Sequence, residues 1–117
     1  SDGQTLESLL LCGEADLKLS NFHQAIKTFE QARQSFEKSS DGLKTLRLDS
    51  DFGYGVALAN LGRLDEALKT LRDVVAGRQE LFDKDHVSIL DAEEEVAEVL
   101  LQKGEYFQSK KIFDDLT

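Results

Sequence analysis

Four features of this 117-residue sequence carry side chains capable of chemistry: a lone cysteine, Cys12; two histidines, His23 and His86; and the run Asp91-Ala92-Glu93-Glu94-Glu95. A cysteine nucleophile needs a base to hold it as thiolate. No histidine falls on the face that carries Cys12, so Cys12 reads as a buried small hydrophobe on the apolar side of a helix. One cysteine also excludes an internal disulfide and any two-cysteine metal site. His23 falls in the first turn of a helix and is expected to face solvent. His86 follows a cap residue, Asp85, and is expected to pack or bond within its loop; two isolated imidazoles do not make a metal site. Carboxylates paired for acid–base catalysis need a cleft and a raised pKa. The acidic run reads instead as the solvated first half of a helix, where negative charge suits the positive end of the helix dipole. There is no glycine-rich phosphate loop, no serine–histidine–aspartate constellation and no metal-ligand spacing. The sequence therefore predicts no catalytic residue, no metal and no cofactor.

Composition narrows the partners. The formal charge is −9, which argues against nucleic acid, whose phosphates call for clustered Lys and Arg, and against anionic membrane surfaces. A basic protein would be steered favourably within a screening length of about 8–10 Å. No apolar run approaches the ~18 residues of a transmembrane helix, and the opening SDGQTLESLL has no basic region of a signal peptide. A cytoplasmic location is the expectation.

The elements that position these side chains are set by a repeat. Ala25, Phe29 and Ala32 return as Ala67, Leu71 and Val74, 42 residues on, and again as Ser109, Phe113 and Leu116. Gly13, Gly55 and Ala97 keep the same interval, as do Phe22, Leu64 and Tyr106. Gly62 and Gly104 match Ser20, at a position that fits a left-handed helix end. Within each copy the apolar residues fall at i, i+4 and i+7, one face of a helix. The spacing predicts paired helices over 5–19 and 21–38, 43–61 and 65–82, then from 86 to 104 and from 105 or 106 onward. Asn21 is expected to cap the second helix and Asp85 the fifth, with Ser39-Ser40-Asp41-Gly42 as a turn. Gly53 and Gly77 lie inside predicted helices. Gly53 has no evident reason, and Gly77 is expected to fray or bend its helix. No stretch shows sustained period-2 alternation, so no strand is predicted. Repeats of this length mean stacked units that cannot each bury an apolar face alone.

These residues resemble the tetratricopeptide repeat. The matching positions are Leu9, Cys12-Gly13, Phe22, Ala25, Phe29 and Ala32 in the first copy. They are Tyr54-Gly55, Leu58, Leu64, Ala67, Leu71 and Val74 in the second, and Val96-Ala97, Leu100, Tyr106, Ser109, Phe113 and Leu116 in the third. The 42-residue period, with Asp85-His86 and then Val87 before the fifth helix, looks like the long-repeat variety found in kinesin light chains. There are departures. The large residue of the fourth family position is Asp51 and Glu93, the terminal proline is missing, and the paired asparagines of kinesin light chains are Phe52-Gly53 and Glu94-Glu95. The resemblance thus implies the fold, an all-α right-handed solenoid of three hairpins, but not kinesin-type cargo binding. It implies one domain over 1–117, with repeats at about 5–41, 42–84 and 85–117, as a fragment of a longer protein.

In this family the first helices of the hairpins line the concave face. Carried over, the groove positions are Glu7, Leu10, Glu14, Leu17 and Lys18; Asp49, Phe52, Val56, Ala59 and Asn60; and Asp91, Glu94, Glu98, Leu101 and Gln102. Such a stripe is acidic with apolar spots, and suits a peptide or helix in which Lys or Arg flanks an apolar anchor. Phe52 serves equally well as core. The carboxylate clamp of chaperone-binding repeats, a cationic set that grips a C-terminus, does not fit. Only Lys18 and Asn60 could serve it. The implied function is a non-enzymatic scaffold or adaptor that binds a protein or peptide in an acidic concave groove. One alternative is a regulatory array that controls an attached effector. Another is a self-associating module whose third hairpin exposes Ile112, Phe113 and Leu116 to a second copy.

Overall fold

A computed structural model describes residues 5–37 and 44–116 of the chain. The predicted turn Ser39-Ser40-Asp41-Gly42 lies outside the described residues. Six helices occupy the described chain: α1 (Leu6–Lys18), α2 (Phe22–Glu37), α3 (Lys44–Asn60), α4 (Leu64–Leu81), α5 (Val87–Gln102) and α6 (Tyr106–Leu116). Each boundary falls within a residue or two of its expected place, and no strand occurs among the described residues. Each helix packs on its neighbours in the chain; in addition α1 packs on α3, and α3 on α5. That pattern is successive antiparallel hairpins laid side by side, a right-handed α-solenoid with overall dimensions of 47 × 30 × 20 Å.

The turns inside the hairpins repeat one device. Gly62 and Gly104 adopt φ of 81° and 85°, and Ser20 takes the same left-handed conformation at 61°. In each case two amides fold back onto the end of the preceding helix. The Arg63 amide donates to the Leu58 carbonyl and Gly62 to Ala59; Glu105 donates to Leu100 and Gly104 to Leu101; Asn21 donates to Asp16 and Ser20 to Leu17. This is the Schellman closure, in which glycine is favoured because it has no Cβ to oppose positive φ.

Phe29 explains the glycine that the sequence left unexplained. Its ring, 1% exposed, lies between Gly13 of α1 and Gly53 of α3, and a Cβ at either position would run into it. Gly55 makes the corresponding room for Leu71, where a Cβ would come within 2.9 Å. Gly77 does not interrupt α4; it lets Leu48 of α3 pack against the bare backbone. The core continues through Ala25, Ala32, Leu58, Ala67, Val96, Val99 and Leu100, all buried.

Two expectations require correction. Cys12 is exposed, not buried. Its equivalents one and two repeats on are Tyr54, which lies under the guanidinium of Arg33 at 4.6 Å, and Val96, which is 5% exposed. Both are covered by the hairpin before them, whereas no described hairpin lies beyond α1. The cap of α5 is His86 rather than Asp85. Its Nδ1 accepts from the Ser88 amide at 3.1 Å, and its ring stacks on Phe82 at 4.2 Å. An imidazole acceptor therefore does the work of the usual oxygen, one residue later than predicted.

Candidate functional site

Helices α1 and α3 run side by side and leave an open groove of about 730 Å³ between them. The groove exists because 3.6-residue periodicity sends one stripe of each helix into its own hairpin and a second stripe outward between hairpins. From α1 it is lined by Glu7, Leu10, Leu11, Glu14, Leu17 and Lys18, and from α3 by Leu46, Asp49, Phe52, Gly53, Val56 and Asn60. Phe22 and Phe29 of α2 complete its base, and α5 reaches it through Glu95.

Nine of the fifteen positions carried over from the family meet here: Glu7, Leu10, Glu14, Leu17, Lys18, Asp49, Phe52, Val56 and Asn60. Ala59 lies beneath them, 5% exposed, in the core. Asp91, Glu94, Glu98, Leu101 and Gln102 stand on α5 outside this groove. Glu95 takes their place because it sits about 100° around the helix from Glu94, on the side turned toward α3. Leu10 is buried, while Phe52 and Val56 are half-buried, so Phe52 both packs on the core and faces the groove.

Electrostatics within the groove are uneven. Asp49 accepts a hydrogen bond from Arg78 of α4 at 3.1 Å. The same guanidinium donates to the Ser88 carbonyl of α5 at 2.6 Å and lies 4.7 Å over the Phe52 ring. Arg78 is only 5% exposed, so one buried cation ties α3, α4 and α5 together and partly neutralises the groove at Asp49. Sequence reasoning missed it. The signal was present: Arg78 follows Leu71 and Val74 at helical spacing, an arginine on an apolar stripe. Among the described residues Glu95 has no such partner. Burial, then the carboxylates of Glu98, Glu94 and Asp91, push its pKa from the ordinary 4.5 up to about 7. Near neutrality it is therefore only partly ionised.

A second arginine works outside the groove. Arg33 of α2 approaches Asp51 of α3 at 3.1 Å, although without the alignment of a hydrogen bond. Burial raises the Asp51 pKa, and Arg33 and Arg47 oppose the shift. Of the positions assigned to self-association, Ile112, Phe113 and Leu116 are half-buried, and Ile112 packs on the core. The most exposed aromatics of the last hairpin are Tyr106, at 66%, and Phe107, at 92%. Among the described residues no helix is long and apolar enough to cross a membrane, and no group of three or more His, Cys, Asp or Glu could hold a metal ion.

Antiparallel hairpins stacked with an open groove along their first helices are the architecture of a helical-repeat module, a class whose members bind proteins or peptides. Residues 55–88, from the middle of α3 to the start of α5, match the tetratricopeptide repeat. The whole fold is similar to nearly identical TPR-like repeats assigned to a kinesin light chain of Podosopora anserina. A crystal structure of that protein and one of a point variant give TM-scores of 0.73 and 0.75 at 22% identity. They cover 95% of this chain and 53% and 52% of theirs. The chain thus spans about half the length of the solved chains it matches. No curated protein matches the sequence. Residues 55–88 thus carry the tetratricopeptide repeat match, and the fold of the described chain is like that of these TPR-like repeats.

Proposed function

We propose that the protein is a cytoplasmic scaffold or adaptor that holds a peptide or a helix of a partner protein in the groove between α1 and α3, and that it acts by binding rather than catalysis. The observation that carries this reading is the groove itself: an apolar floor of Leu10, Leu17, Phe52 and Val56, walled by carboxylates and open along its length. Its volume suits a few buried side chains of an extended or helical segment. In Val56→Trp a bulky side chain fills the groove at a half-buried position without altering charge. Partners recovered by the wild-type chain from a cell extract are expected to be lost from this variant, with its circular dichroism unchanged. Recovery of the same partners by a folded Val56→Trp chain refutes the reading.

A second reading has its own support. Leu101, Tyr106 and Phe107 expose 49%, 66% and 92% of their surfaces at the last hairpin, an apolar edge suited to a second copy of this domain. Light scattering over a range of concentrations separates it from a monomeric adaptor. A mass that stays monomeric throughout excludes it.

A further inference from the structure

We infer that the segment this groove accepts sets a lysine or arginine against Glu95 and an apolar side chain on the floor formed by Leu17, Phe52 and Val56. The inference rests on the groove reading above and assigns the partner's chemistry within it. Four carboxylates line the groove: Glu7, Glu14, Asp49 and Glu95. They are not equivalent. Asp49 already accepts from Arg78, so an incoming cation there would compete with a buried guanidinium. Glu7 and Glu14 are exposed, and ion pairs at exposed positions contribute little.

Glu95 differs from all three. It is half-buried, and its charged neighbours are carboxylates of its own helix, Asp91, Glu94 and Glu98. Among the described residues no lysine or arginine lies within ion-pair distance of it. From α3 the groove brings Asp49, held by Arg78 of α4, and from α1 it brings Glu7, Glu14 and Lys18; α6 contributes no lining residue. Lys18 is the last residue of α1, as Asn60 is of α3. Among the described residues, the most desolvated groove carboxylate is therefore left without a cation, next to an apolar floor. A partner that supplies both the cation and the anchor completes the site by charge complementarity.

The pKa of Glu95 adds a signature. A carboxyl that titrates at about 7 when free, and is held ionised by a bound cation, must release its proton on binding. Affinity is then expected to fall about tenfold between about pH 8 and about pH 6.

The test uses peptides selected from a random display library on the full chain. Their affinities are measured by fluorescence anisotropy against wild type, Glu95→Gln and Val56→Trp, across that pH range. The expected result is enrichment of Lys or Arg near an apolar residue, weakening of about tenfold in Glu95→Gln, and loss of the pH dependence in that variant. Replacing the peptide's cation by norleucine should reproduce the Glu95→Gln loss, and the two changes together should cost no more than either. Selection of acidic or uncharged peptides overturns the inference. So does affinity that stays within about twofold in Glu95→Gln while Val56→Trp abolishes binding, a result that leaves the groove reading standing. Binding that survives in Val56→Trp removes the groove reading, and this inference with it.

Discussion

Arg78 is a buried cation that ties α3 and α5 to α4, and its removal has a calculable cost. It is 5% exposed and makes three contacts to two other helices. The bond to the Ser88 carbonyl, at 2.6 Å, comes from a charged donor and is worth about 1.5–3 kcal/mol. The pair with Asp49 is worth about 0.5–1 kcal/mol, because that carboxylate is 47% exposed. The Phe52 ring, 4.7 Å beneath the guanidinium, adds about 1 kcal/mol. Arg78→Met keeps most of the packed stem and leaves the Ser88 carbonyl without its donor. We expect it to cost about 3–4 kcal/mol, a large share of the stability of a domain of this size. Asp49→Asn removes only the solvent-exposed partner and should cost about 1 kcal/mol or less. Arg78→Lys should fall between them, since one compact ammonium does not span both acceptors. Urea unfolding followed by far-UV circular dichroism measures all three, with the slope compared across variants because helical repeats can unfold piecewise. If Arg78→Met proves no costlier than Asp49→Asn, the Ser88 bond does not clamp α4 to α5 and the reasoning fails.

Two further outcomes follow from the backbone and from Glu95. Ser20 holds a left-handed conformation at φ 61°, where the later repeats have glycine; Ser20→Gly should stabilise the chain by about 0.5–1 kcal/mol, and a loss of stability would show that the serine contributes something the turn geometry does not reveal. Glu95 has a folded pKa of about 7 against an ordinary 4.5, so the folded chain binds the extra proton. The stability it contributes is complete below about pH 4.5 and declines as pH rises through 7. The full shift corresponds to about 3 kcal/mol, and solvent at the groove reduces the realised value to about 1–2 kcal/mol. Glu95→Gln should therefore be more stable than wild type at pH 8 by that amount and little different at pH 4; equal melting temperatures at pH 8 would contradict the buried setting of this carboxyl.

The hairpins, their order and the groove along α1 and α3 were legible because each is written in one repeat and confirmed by the next. A period of 42 residues returns small residues where helices cross and bulky ones where they fill. Gly13 and Gly55, set against Phe29 and Leu71, obey that rule within single hairpins. Gly53 does not. Its reason lies in the preceding hairpin, whose Phe29 needs the space, so no reading confined to its own helix could find it. The same holds for exposure. Cys12, Tyr54 and Val96 share one position in the period, yet only the first is open to solvent, because coverage is supplied by a neighbour. Tyr106, on the last described helix, is 66% exposed at a position where Phe22 and Leu64 are half-buried.

The groove's charge was misjudged from sequence on similar grounds. Adding up carboxylates on a helix face assumes that each acts as a free charge, and the structure removes that assumption in two opposite ways. Asp49 is partly cancelled by Arg78, a residue 29 positions along the chain and on another helix. Glu95, set in the acidic run that looked solvated, is half-buried and crowded by its own neighbours until it holds its proton near neutrality. A helical stripe fixes which residues meet, but the charge they present is decided by what the adjacent hairpins bring to them. The groove is therefore less acidic at Asp49 and Glu95 than a count of its carboxylates implies.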